Sequence, residues 1–112
     1  MWDAERLIYR TTETFPRQET YGLTSQLRRA AVSVASNIVE GQGRLTKGEF
    51  QQFLGHSRGS LRELETQLAI AVDLHYLSPS ELACLEVTTS EVKRLLNGRI
   101  DSLRVKSKAF ST

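Results

Sequence analysis

The run Leu23-Thr24-Ser25-Gln26-Leu27-Arg28-Arg29-Ala30-Ala31-Val32-Ser33-Val34-Ala35-Ser36-Asn37-Ile38-Val39-Glu40 holds no glycine or proline and repeats apolar residues every three or four positions. Leu23, Leu27, Ala30, Val34 and Ile38 share one face at 100° per residue, the pattern of an amphipathic α-helix. A second row, Val32, Ala35 and Val39, lies a quarter to a third of a turn away. One core-facing stripe needs less width than this. The helix is therefore expected to touch two neighbours, one of them in another subunit, which makes Val32, Ala35 and Val39 candidates for an oligomer interface.

On either side of this run the chain is broken at Pro16–Gly22 and at the glycines Gly41, Gly43 and Gly48, with a further break at Ser78-Pro79. Three more helical segments remain between the breaks. The first spans roughly 3–15, with Ala4, Leu7, Ile8, Thr11 and Phe15 on one face and Asp3 and Glu5 at the positive end of its dipole. The next spans roughly 46–74, opened by a Thr46 cap with Glu49 three residues on. Its stripe is Phe50, Phe53, Leu54, Ser57, Leu61, Leu64, Leu68 and Ala71, and at 1.5 Å per residue it reaches about 40 Å. The last spans roughly 79–103, started by Ser78, Pro79 and Glu81, with Leu82, Leu85, Val92, Leu96, Ile100 and Leu103 as its stripe. Period is lost after residue 104. The reading is one all-α domain over 1–104, an up-down-up-down four-helix bundle, with 105–112 as a flexible tail.

Composition agrees with a single folded domain. The chain has 112 residues, 39% hydrophobic and 25% charged, with two prolines. The formal net charge of +2 permits an anionic partner without requiring one. Solvated surface is the competing account of most Lys and Arg. Cys84 is the one cysteine, which excludes an internal disulfide and a cysteine-rich metal site, and it reads as a small buried hydrophobe. The start of the chain lacks a basic-then-apolar leader, and no apolar run approaches a membrane span. A cytoplasmic location is expected.

Catalytic patterns are thin. His56 and Ser57 are adjacent, and neighbours on a helix point about 100° apart. No Gly-x-Ser-x-Gly elbow occurs. Glu63 and Glu65 have no histidine three residues on, so the di-iron pattern of helical bundles is missing. Gly41-Gln42-Gly43-Arg44 lacks the Gly-Lys-Ser/Thr ending of a phosphate loop and reads as a helix C-cap at Gly41 followed by a turn. No enzyme, metal or cofactor is expected.

Binding features are clearer. Arg29, Ser33, Ser36 and Glu40 recur at helical spacing, as do Glu49, Ser60, Glu63 and Gln67, which suits interface contacts or a plain solvated face. Gly55 and Gly59 each cost about 1 kcal/mol of helix propensity against alanine. They are expected where another backbone approaches, such as that of a second subunit, with tolerated drift as the alternative. Arg28, Arg29, Arg44, Lys47, Arg58 and Arg62 are the candidate phosphate contacts, whose charge would sum over the copies of a ring. No aromatic platform interleaves with them, so single-strand base readout by stacking is not expected.

The order Tyr21-Gly22-Leu23-Thr24-Ser25-Gln26-Leu27-Arg28-Arg29-Ala30-Ala31, then Val32 to Gly41, Gly43-Arg44, Glu49-Phe50, Phe53-Leu54, Gly59-Ser60-Leu61 and Glu63-Leu64-Glu65-Thr66-Gln67-Leu68 resembles a bacterial four-helix-bundle family. The family is named after proteins encoded in intervening sequences of 23S ribosomal RNA genes. The likeness covers roughly residues 5–104. It implies an up-down bundle, a homo-oligomer with a pentameric ring as leading form, and kinship with the basic, nucleic-acid-binding accessory protein of diversity-generating retroelements. It implies no catalytic residues. Ala35 stands where many relatives carry proline and Val39 where many carry alanine. The expectation is a non-enzymatic, homo-oligomeric binding module for structured RNA or other nucleic acid. A protein-interaction scaffold is the alternative.

Overall fold

Ser78 begins the last helix with two reciprocal hydrogen bonds. The Glu81 amide donates to Ser78 Oγ and the Ser78 amide donates to Glu81 Oε1, both at 3.1 Å. At the other break the Glu49 amide donates to Thr46 Oγ1 at 3.1 Å. These caps set the starts of two long helices in the computed structural model, which describes residues 3–43 and 46–111, with 101–111 described by backbone alone. The helices are α1 (Asp3–Thr12), α2 (Leu23–Gln42), α3 (Lys47–Asp73) and α4 (Pro79–Ser111). A short 3-10 turn, Arg17–Glu19, lies in the first connection. No strand occurs among the described residues.

Packing runs around a closed circuit. α1 lies against α2 and α4, α2 against α3, and α3 against α4. Short connections make the neighbours antiparallel, so the chain is an up-down four-helix bundle of 54 × 23 × 21 Å. Ala4, Ile8, Leu27, Val34, Leu61, Leu64, Leu68 and Leu85 form its innermost layer, each 2% exposed or less. Ser57 is equally buried, and its hydroxyl donates to the Val34 carbonyl at 2.8 Å. A small, satisfied polar residue there lets α2 and α3 approach closely.

Several boundaries and roles differ from the sequence expectations. α1 stops at Thr12, because Glu13, Thr14 and Phe15 turn back with amide bonds to carbonyls three residues earlier. Phe15 still reaches the core, its ring centroid 5.6 Å from that of Tyr76. Gly41 is not a C-cap. It is buried inside α2, where a Cβ would lie 2.9 Å from Phe50 Cδ1 and 3.0 Å from Phe53 Cβ. Its missing side chain admits the first turns of α3. Cys84 is exposed on α4, since the core face there is taken by Leu85 and Thr89. α4 runs on to Ser111, through the stretch read as a tail.

At the end of α3, Tyr76 N–H bonds the Ala71 carbonyl at 2.9 Å and His75 N–H bonds the Val72 carbonyl at 3.0 Å. That pair is the Schellman termination, and it places His75 in the left-handed region at φ 63°.

Candidate nucleic-acid and self-association surfaces

Two grooves run along the bundle. The first lies between α2 and α3, about 720 Å³ in volume, with Arg29 and Ser33 on one side and Gly59, Arg62, Glu63 and Gln67 on the other. Helical spacing builds it. Residues 26, 29, 30 and 33 form one ridge of α2, and 59, 62, 63, 66, 67 and 70 form the facing ridge of α3. Ser33 Oγ and Ser60 Oγ join the helices at 2.8 Å, and Asn37 Nδ2 donates to the Ser33 carbonyl at 2.8 Å. Gln67 Oε1 is buried, with no hydrogen-bond partner among the described residues.

The second groove is apolar, about 660 Å³, and is lined by Ala35, Ile38 and Val39 of α2, Phe50 and Leu54 of α3, and Val92, Leu95 and Leu96 of α4. α1, at 10 residues, is about 15 Å long, whereas α3, at 27 residues, is about 40 Å. Glu5 of α1 lines the same groove. Val39 is 67% exposed and Leu95 74% exposed. Arg99 lines the same groove, its guanidinium carbon 5.5 Å from the Phe50 ring centroid.

The described candidate cations do not all line one groove. Arg29 and Arg62 line the polar groove together. Arg28 is occupied inside the molecule: Nε donates to Thr12 Oγ1 at 2.9 Å, Nη2 donates to the Tyr9 carbonyl at 3.3 Å, and the guanidinium lies 4.7 Å from the Tyr9 ring centroid. It bolts α1 to α2. Lys47 is exposed at the first turn of α3, and Arg58 is half-buried on α3 outside both groove linings. Arg44 lies outside the described residues.

The expected interface residues also divide. Ala35 and Val39 line the apolar groove, and Val32 is 37% exposed beside it on α2. Gly59 belongs to the polar groove. A Cβ at Gly55 or Gly59 would meet no heavy atom within 4 Å, so no close approach within the described chain requires either glycine. Leu95 and Arg99 escaped the sequence reading. The adjacent pair Leu95-Leu96 was the available signal, since two consecutive apolar residues widen a helix's greasy arc as Val32 and Ala35 do on α2.

The histidines stand apart. His56 is exposed, its ring 6.1 Å from that of Phe53, while Ser57 turns inward. Among the described residues no group of three or more His, Cys, Asp or Glu is placed to hold a metal ion, and no helix is long and apolar enough to cross a membrane. One titration is displaced. Tyr76 donates to Glu19 Oε2 at 3.0 Å. That hydrogen bond, with desolvation and the carboxylate's charge adding to it, raises the phenol's pKa above its ordinary value.

Comparison with known proteins gives a consistent placement. A family model described as "23S rRNA-intervening sequence protein" matches residues 2–98. A solved structure of a protein of unknown function from the S23 ribosomal protein family of Bacteroides thetaiotaomicron superposes with a TM-score of 0.76 at 20% identity, covering 87% of this chain and 90% of that one. At that identity the likeness speaks for the fold. No curated protein matches.

Proposed function

The chain belongs to the 23S rRNA-intervening sequence protein family, and from this we propose that it is a non-catalytic binding module that self-associates and holds RNA or DNA by its phosphates. The observation that carries the reading is the apolar groove lined by α2, α3 and α4, with Val39 and Leu95 exposed on it. Contiguous apolar surface rimmed by charge is characteristic of interaction sites. A second copy of the chain fits it best, because the greasy arc of α2 is wider than one core requires. A closed assembly, with a pentamer as leading form, then repeats Arg29 and Arg62 around one surface. Charge that is modest per chain becomes a summed field. Phosphate contacts of this kind fix position without reading sequence.

Sedimentation at micromolar concentration tests the first half. Wild type sediments as a closed oligomer, and Val39→Glu or Leu95→Glu, by burying a charge at the contact, yields folded single chains. A wild type that is monomeric at that concentration ends the reading. Titration of a labelled structured RNA at two salt concentrations tests the second half. Affinity falls steeply with salt if phosphates are the target. The groove's apolar lining also favours an alternative, a scaffold for a partner protein, which predicts salt-tolerant binding of protein and none of RNA.

A further inference from the structure

The charge of the chain is not spread evenly. Residues 1–98 carry eleven Lys and Arg against twelve Asp and Glu, and residues 99–112 carry four against one. The formal charge of +2 is thus −1 from the first stretch and +3 from the second. The fold gives the basic stretch a distinct place. The Arg99 guanidinium carbon lies 5.5 Å from the Phe50 ring centroid, and Leu96 and Leu54, one turn back on each helix, line the same groove. Gln42, the last residue of α2, lines it too. At Arg99, then, α4 is level with the end of α2 and with the first turn of α3, which begins at Lys47. α4 continues from there to Ser111, about 18 Å further, and overruns the start of α3 by about 13 Å.

We infer that the overrunning turns of α4, residues 104–111, form a basic arm that holds nucleic-acid phosphates through Arg104, Lys106 and Lys108. This rests on the nucleic-acid reading above and adds a second site to it, since Arg62 stands about 22 Å along α3 from Lys47. A helix packed in a bundle offers one side to a ligand, whereas a helix that outruns its neighbours can be approached from all round. The sequence suits the second case. Arg104, Lys106 and Lys108 step by 200° around the helix, so no single face gathers them. The same spacing disfavours a membrane surface, because Lys106 falls on the side of Leu103 and Phe110 and interrupts the apolar face such a surface needs. A phosphate backbone needs no apolar face, and the hydroxyls of Ser107 and Ser111 add donors for it. Glu40, Glu49 and Asp101 are the carboxylates of this end, outnumbered by Lys47, Arg99 and the three cations of the arm.

Fluorescence anisotropy with a labelled RNA hairpin tests the arm. The arm variant combines Arg104→Gln, Lys106→Gln and Lys108→Gln, and glutamine keeps the helix propensity of the residues it replaces. A control variant removes the same charge elsewhere, by Arg10→Gln, Arg17→Gln and Arg94→Gln. The arm variant binds at least tenfold more weakly than wild type, with the slope of log affinity against log salt reduced by about 2, and the control changes both far less. Circular dichroism and sedimented mass of the arm variant match wild type. Lysine acetylation read by mass spectrometry gives a measurement on the unaltered chain: the hairpin protects Lys106 and Lys108 more than Lys93. An arm variant that binds as wild type does, while Arg29→Ala and Arg62→Ala weaken binding, overturns the arm and leaves the broader function standing. Equal losses in the arm and control variants, or equal acetylation of the three lysines with and without RNA, also overturn it. A changed sedimented mass for the arm variant assigns these turns to a contact between copies and overturns the arm as well. A wild type that binds no RNA overturns both readings.

Discussion

Replacing Gly41 with alanine probes a close contact between α2 and α3. The added Cβ would stand 2.9 Å from Phe50 Cδ1, 3.3 Å from Phe50 Cε1 and 3.0 Å from Phe53 Cβ. Contact at van der Waals distance begins near 3.5 Å. The Phe50 ring is half-buried and can swing, so that part is cheap. Phe53 Cβ is fixed to the α3 backbone, so α3 itself must shift by a few tenths of an ångström. Overpacking of this kind costs about 1–3 kcal/mol. Alanine in a helix recovers about 1 kcal/mol against glycine. The balance is a destabilisation of about 1 kcal/mol, or a Tm lower by about 4–8 °C for a domain of this size. Gly41→Leu, too bulky to be absorbed, costs more than about 3 kcal/mol. Gly43→Ala is the control, since its nearest contact is Glu40 O at an ordinary 3.7 Å and its φ is −84°. Urea unfolding followed by circular dichroism, at one fixed protein concentration so that association does not confound the comparison, reads the difference. A Gly41→Ala protein as stable as Gly43→Ala or more so refutes the close-approach account and returns Gly41 to the role of a cap.

Other substitutions follow from the same geometry. Gly55→Ala and Gly59→Ala place a methyl in open space and raise stability by about 1 kcal/mol each, readable in the same urea titration; a loss of stability at either indicates a neighbouring backbone. His75→Gly relieves the left-handed cap at φ 63° and stabilises by about 0.5–1 kcal/mol by thermal melt, whereas His75→Ala does not. Arg28→Ala removes two hydrogen bonds and the contact with the Tyr9 ring and lowers stability by about 1–2 kcal/mol, with α1 amides gaining hydrogen exchange ahead of α3 amides. The Tyr76 phenol has its pKa raised in the fold, so its contribution is complete below the unfolded value near 10 and is lost as pH rises through the folded value. Stability therefore falls on the alkaline side of pH 10, and Tyr76→Phe flattens that limb in urea titrations run from pH 8 to 11.

The helices, the caps that start α3 and α4, and most of the core were legible in the residue order. Leu27, Val34, Leu61, Leu64, Leu68 and Leu85 are buried as their spacing requires, and Ser78-Pro79-Ser80-Glu81 starts α4 as a local rule dictates. Val32 and Val39, on the second row of α2, are exposed on the single chain. These features depend on residues three or four apart, which the helix itself brings together.

The candidate site was less legible. Arg28 and Arg29 are adjacent and chemically identical, yet one grips Tyr9 and Thr12 while the other faces a groove. Cys84 and Leu85 divide in the same way between solvent and core. Gly41 and Gly59 both sit inside a helix, and of the two Gly41 has an aromatic pair pressed against it. A step of 100° separates each adjacent pair, and it is the helix packed alongside, far off in sequence, that settles which side is filled. Periodicity thus specified the faces. The bundle's packing assigned each face to the interior, to an open groove or to an internal bolt, because that assignment depends on contacts through space rather than along the chain.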